Sequence, residues 1–116
     1  TGDAALLNQV FSNLLDNALK YRDPARPLRI RVSGRVERGQ VTYRVADTGR
    51  GIAPAHQKNI WVLFHRLYPE AGVSGEGLGL NLVRRILHRH RGRTWVSSTP
   101  GEGSCFYVAL PHKQDP

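Results

Sequence analysis

Asn13, Asn17, Lys20 and Tyr21 belong to one stretch, NLLDNALKY, and stand four, three and one residues apart. On a helix turning about 100° per residue, with Asn13 at zero, Asn17 falls at about 40°, Lys20 at about 340° and Tyr21 at about 80°. All four lie on one narrow stripe. An Asn carbonyl is a hard oxygen donor suited to Mg²⁺, which keeps few protein ligands because phosphates and waters supply the rest. Lys20 can meet a phosphate, and Tyr21 offers a ring face to a base. An exposed polar seam ending in an amide cap explains the same spacing, so the helix alone leaves both readings open.

Two further stretches carry groups of the same kind. DTGRGI (47–52) sets the Asp47 carboxylate beside Gly49 and Gly51, where a missing Cβ permits close backbone approach. A carboxylate there can accept from the amino group of adenine, although as an isolated pattern DxGxG is more often a turn. GEGLGL (75–80) places Gly75, Gly77 and Gly79 ahead of a helical pattern. Backbone N–H groups at a helix start can meet a phosphate. A dinucleotide fingerprint is not predicted, because a loop and not a strand precedes these glycines.

The elements that must position these groups are readable from periodicity. Asp3 is expected to cap a first helix that runs to about Tyr21, with Leu7, Phe11, Leu14, Leu15, Ala18 and Leu19 as its apolar face. Pro24 and Pro27 end it in a short loop. Leu28, Ile30, Val32 and Val36 alternate with polar residues, Glu37 to Gln40 supplies a turn, and Val41, Tyr43 and Val45 resume the alternation: a hairpin. Pro54 opens an expected short helix to about Phe64, and a loop follows. Leu80, Val83, Ile86, Leu87 and His90 predict a second long helix ending at Gly92; Thr94–Ser98 and Ser104–Leu110 predict two final strands. Residues 1–111 read as one domain and 112–116 as a frayed tail.

Composition narrows the class. A chain of 116 residues can bury a two-layer core, and no apolar run approaches the roughly 20 residues that span a bilayer. Cys105 is the single cysteine, so no internal disulfide forms; a cytoplasmic setting fits. The abrupt start TGD at an expected helix cap suggests a piece of a longer protein. A net charge of +8, from 14 Arg and 3 Lys against 9 acids, is compatible with a polyanionic partner. The basic residues are spread without aromatic interleaving, so a solvated surface is expected and neither nucleic acid nor direct membrane contact is.

Taken in order, NLLDNALKY, DTGRG, a Phe-containing helix end and GEGLGL are specific. The sequence resembles the catalytic ATP-binding domain of sensor histidine kinases, in the superfamily shared with gyrase, heat-shock chaperone and mismatch-repair ATPases. The resemblance runs from GDAALLNQVFSNLLDNA to STPGEGSCFYVALP; FHRLYPE and RRILHRHRGRTWVSSTPGEGS look most like the phytochrome-linked type. It implies an α+β fold, a two-layer α/β sandwich of the Bergerat type with helices packed on one face of a mixed sheet, binding ATP and Mg²⁺ beneath a lid.

Carried over, the resemblance makes Asn17 the Mg²⁺ ligand, with Asn13 beside it and Lys20 on the phosphates. Tyr21, Asp47, Gly49, Gly51 and Ile52 would form the adenine pocket, with Asp47 accepting from the base. Phe64 would anchor the lid and Arg66 reach the γ-phosphate, while Gly75, Gly77, Leu78, Gly79 and Leu80 match the last glycine box. Hydrolysing relatives carry Glu at the place of Asn13 as general base, and an amide cannot take a proton in that way. The substitution points to transfer onto a histidine of a separate dimerisation domain, in a homodimeric kinase that serves a response regulator.

None of His56, His65, His88, His90 and His112 follows the acceptor pattern HExxxP. Trp61 and Val62 stand where Phe and Glu are usual, Asn81 replaces a small apolar residue, Arg91 replaces a glycine, and the lid is short. A short lid predicts weaker nucleotide retention. Two alternatives belong to other classes: a water-activating ATPase, disfavoured by Asn13, and a degenerate module that regulates its partner by binding nucleotide.

Overall fold

The computed structural model describes residues 2–61 and 79–111. The first helix, α1 (Gly2–Lys20), starts one residue ahead of Asp3, the expected cap, and ends one residue before Tyr21, whose N–H still bonds to Asn17 O at 3.1 Å. Its buried stripe is Leu6, Val10, Leu14 and Ala18, each four residues from the last and none more than 7% exposed. That stripe is rotated from the expected one. Leu7, Phe11 and Leu15 are half-buried at its flank, and Leu19 is 49% exposed. The helix holds more apolar residues than one face can cover, so the packing partner selects among them.

The strands follow from alternation and turn chemistry. β1 (Ile30–Glu37) and β2 (Gln40–Asp47) pair antiparallel from Ile30↔Asp47 to Glu37↔Gln40. Between them Arg38 and Gly39 both take positive φ, 49° and 76°, the two-residue turn whose twist suits a hairpin. β3 (Arg93–Thr99) and β4 (Gly103–Pro111) form a second hairpin, and β4 lies between β2 and β3, giving the order β1-β2-β4-β3. All three pairings among the described strands are antiparallel, because each sequence-adjacent pair closes through a short turn and the hairpins join antiparallel through β2 and β4.

Helix α2 (Gly79–Arg89) lies in the same layer as α1 and buries Leu80, Val83 and Leu87. It stops three residues short of the expected end at Gly92, and His90 is exposed. Arg91 takes φ 61°, with Arg91 N–H bonded to His88 O and Gly92 N–H bonded to Leu87 O at 2.7 Å. This double bond pattern terminates the helix, and Arg91 occupies the left-handed position that glycine usually fills. The helical layer meets Val45, Phe106 and Val108 from the sheet; Trp61 packs edge-on against Phe106 at 5.9 Å and Phe11 edge-on against Tyr43 at 5.2 Å. The outcome is the two-layer α+β sandwich expected.

The segment after Pro54 departs from expectation. Instead of one helix to Phe64, the described part contains two single 3₁₀ turns, Pro54–His56 and Asn59–Trp61. Gln57 between them donates to Ile52 O at 2.8 Å and Ser98 O at 3.1 Å, which ties the chain to the sheet end and competes with continuous helix. Val62 to Leu78, and with them Phe64, Arg66, Gly75, Gly77 and Leu78, lie outside the described residues, as does the tail 112–116.

Candidate nucleotide site

The inward face of α1 changes character along its length. Leu6 and Val10 are buried among apolar side chains; Asn13 and Asn17 stand seven residues further on, about two turns, and so continue the same face. Asn13 Nδ2 is buried without a hydrogen-bond partner, the only such side-chain atom among the described residues. A buried amide left unpaired costs roughly 1–3 kcal/mol, so packing does not account for it. Asn17 is on the wall of a small, partly open cleft that it shares with Ala18, Tyr21, Asp47, Arg50, Gly51, Ile52 and Ser104.

Asp47 ends β2 on the wall of this cleft. Its Oδ1 accepts from Gly49 N–H at 2.8 Å and from Ser104 N–H at 3.3 Å, while no donor among the described residues meets Oδ2. Burial raises the carboxyl above its ordinary 3.8, and the two backbone N–H groups oppose that rise. One oxygen thus fixes the carboxylate and the other is left as an acceptor that meets no donor among the described residues. Ser104 and Ser98 share a hydroxyl bond of 2.7 Å, and Ser98 Oγ accepts from Ile52 N–H at 2.7 Å, so β3 and β4 brace the loop that follows Asp47.

Two glycines are dictated by this packing. Gly51 has φ 75°, and a Cβ there would fall on the Thr99 carbonyl oxygen. At Gly49 a Cβ would lie 2.9 Å from both Tyr21 O and Asp47 Oδ1. Both must lack a side chain for the loop to lie between α1 and the turn from β3 to β4.

The structure therefore brings Asn17, Tyr21, Asp47, Gly51 and Ile52 to one cleft, with Gly49 directly behind Asp47 and Asn13 one turn up the helix. Lys20 is exposed at the end of α1. Gly79 opens α2, while Leu80 is 5% exposed in the core and can offer a ligand only its backbone. The acceptor oxygen of Asp47, the orphaned amide of Asn13 and the absence of side chains at the loop glycines fit an adenine nucleotide and the oxygen chemistry of Mg²⁺.

Residues 2–114 match the family of histidine kinase-, DNA gyrase B- and HSP90-like ATPases. The chain belongs to this family. The adaptive-response sensory kinase SasA of Crocosphaera subtropica is 41% identical over 109 residues, covering 94% of this chain and 28% of that protein. The phytochrome-like protein Cph1 of Synechocystis is 37% identical over 109 residues, covering 94% of this chain and 14% of that protein. Among solved structures, the mycobacterial sensor histidine kinase MprB matches with TM-score 0.82 at 27% identity, over 99% of this chain and 78% of that one. Full-length ShkA, in complex with AMPPNP, matches with TM-score 0.81 at 28% identity, over 95% and 22%. The chain thus spans 28% and 14% of the length of these two curated relatives, and corresponds to the catalytic ATP-binding domain of sensor histidine kinases.

Three residues that sequence reasoning passed over, or read otherwise, hold the surrounding elements in place. Ser104 lines the cleft and donates its N–H to Asp47. Asn81, which stands where a small apolar residue is usual, donates its amide N–H to Trp61 O at 2.9 Å and fastens the start of α2 to the second 3₁₀ turn. Arg26, in the loop after α1, bonds to three carbonyls around Asp47 and in the turn from β3 to β4. A residue whose partners are backbone carbonyls has no spacing signature in a sequence.

Proposed function

We propose that this chain, as a catalytic domain over residues 1–111, binds ATP with Mg²⁺ and passes the γ-phosphoryl group to a histidine on a separate dimerisation domain of a homodimeric sensor kinase. The observation that carries the reading is the Asp47 carboxylate, held through Oδ1 with Oδ2 left as an acceptor in the cleft. Asp47 accepts from the exocyclic amino group of adenine, and Tyr21, Gly51 and Ile52 flank the base. Asn17 supplies an amide oxygen for the cation, which when bound neutralises phosphate charge. Lys20 meets the phosphates, joined by backbone N–H groups at the start of α2, where the helix dipole favours anions. Phe64, Arg66, Gly75, Gly77 and Leu78 are assigned by resemblance to the lid and its phosphate contacts.

Asn13 favours transfer over hydrolysis. Its amide can donate to a phosphate oxygen but cannot take a proton from water, so positioning and charge stabilisation are left to drive attack by a nucleophile from another domain. Within the described residues no helix is long and apolar enough to cross a membrane, which fits a cytoplasmic domain serving a response regulator.

Calorimetric titration of Mg·ATP into the chain and into Asp47→Ala tests the site; binding in the parent and its loss in the variant is the expected result. Addition of a histidine-bearing dimerisation domain with labelled ATP tests the reaction. Binding without transfer would leave a nucleotide-sensing module, and turnover by the chain alone would point to a hydrolase.

A further inference from the structure

Arg26 stands six residues beyond the end of α1, and its guanidinium is committed to three backbone carbonyls from two other segments. Nε donates to Thr48 O at 2.9 Å, and the two terminal nitrogens donate to Gly49 O at 2.5 Å and to Gly101 O. Asp23 Oδ2 stands 3.6 Å from the nitrogen that bonds Gly101, and Asp23 Oδ1 accepts from Ala25 N–H at 2.9 Å. The loop after α1 is thereby folded back to present the guanidinium in a set direction. Both carboxylate and guanidinium are about one-third exposed or less, so the ion pair orients Arg26 more than it stabilises the fold.

Two of these carbonyls, those of Thr48 and Gly49, belong to consecutive peptide planes. The plane that carries Thr48 C=O also carries Gly49 N–H, which donates to Asp47 Oδ1. The plane that carries Gly49 C=O also carries Arg50 N–H, which donates to Tyr21 O at 3.1 Å. Gly101, the third carbonyl, returns its own N–H to Arg50 O at 2.7 Å. A rotation of either plane that broke a bond to Arg26 would therefore turn an N–H away from Asp47 or from Tyr21. Five donors in a planar fork can hold such a set; a lysine ammonium, a single point charge, cannot span it.

We infer that Arg26 is a positioning residue for base recognition: by fixing the two peptide planes after Asp47 it aims the carboxylate, and so sets the preference for adenine over guanine nucleotides. The inference rests on the proposed reading of Asp47 as the base acceptor. Adenine presents an amino donor where guanine presents a carbonyl acceptor, and a carboxylate held toward that position attracts the first and repels the second. A carboxylate free to swing loses that discrimination while the phosphate contacts persist.

The test is calorimetric titration of Mg·ATP and Mg·GTP into the parent chain, Arg26→Ala, Arg26→Lys and Asp47→Ala, with circular dichroism to report folding. The parent is expected to prefer ATP. Arg26→Ala should lose about tenfold or more in ATP affinity with little change for GTP, the worth of one well-placed charge-assisted hydrogen bond. Arg26→Lys should recover only part of the preference. Equal losses for ATP and GTP in folded Arg26→Ala would mean a structural role alone and overturn the inference. Should Arg26→Ala not fold, Arg26→Lys decides: a full adenine preference there overturns it, a reduced one supports it. If Asp47→Ala keeps the preference, Asp47 does not read the base and the underlying reading falls with the inference; if only the Arg26 variants keep it, Arg26 alone is eliminated.

Discussion

The two halves of α1 point the same face in the same direction and do opposite work. Leu6 and Val10 bury hydrocarbon against the sheet and α2; two turns on, Leu14 and Ala18 continue that burial, but Asn13 and Asn17, half-buried beside them, bring amides where hydrocarbon would have widened the contact. The first half fits what packing favours, and the second departs from it. A site in this fold lies where half-buried amides flank an apolar stripe that hydrocarbon could have widened, since polar residues on the solvent side carry no cost and no information. Asn13 Nδ2, buried and unpaired, marks that transition.

The comparison can be broken most forcefully at Leu14, which is 1% exposed and lies on the buried stripe between Asn13 and Asn17. Leu14→Ala should destabilise the chain by about 2–5 kcal/mol through lost burial and a cavity. Its ATP-to-GTP affinity ratio should stay that of the parent at temperatures where it is folded. Denaturant unfolding with paired titrations checks both; a changed base preference would show that core packing and recognition on this helix are not separable.

Asn13→Leu sharpens the same contrast from the other side. It swaps the orphaned amide for a hydrocarbon of similar shape, extending the Leu6–Val10 face by one step. The variant should gain about 1–3 kcal/mol in the absence of nucleotide, the cost of an unsatisfied buried donor, and bind Mg·ATP more weakly. Equal stability for parent and variant would mean that the amide is already satisfied.

Much of this arrangement was legible in the sequence because it depends on residue type. The Arg38–Gly39 hairpin, the alternation of β1 and β2, and the need for glycine at 49 and 51 each have a steric cause that residue identity encodes. Half of the buried stripe of α1, Leu14 and Ala18, was readable; the other half was not, because choosing Leu6 and Val10 over Leu15 and Leu19 requires knowing where the sheet lies. Arg26 and Asn81 were missed for a related reason: their partners are carbonyls, and every residue has one. The early stop of α2 at Arg89 shows a third limit, since a left-handed Arg91 is tolerated once Gly92 N–H and Leu87 O close the terminal bond.

The smallest predicted effect concerns Asp47, where stability and recognition should move in opposite senses. Burial raises its carboxyl above 3.8 in the folded chain, so between that value and the raised one the folded state holds more protons than the unfolded. Stability attributable to Asp47 therefore falls as pH rises through this window and stays reduced above it. Asp47→Asn keeps an Oδ1 acceptor for Gly49 and Ser104 and carries no charge to bury. It should match the parent in melting temperature at acid pH, below the window, and exceed it slightly at neutral pH, where the parent carboxylate is ionised. Its amide would also place a donor before the adenine amino group, so the same variant should lose its preference for ATP. Thermal melts across pH, with and without Mg·ATP, separate the two effects. A melting difference that does not depend on pH would mean that Gly49 and Ser104 already offset the burial of the charge.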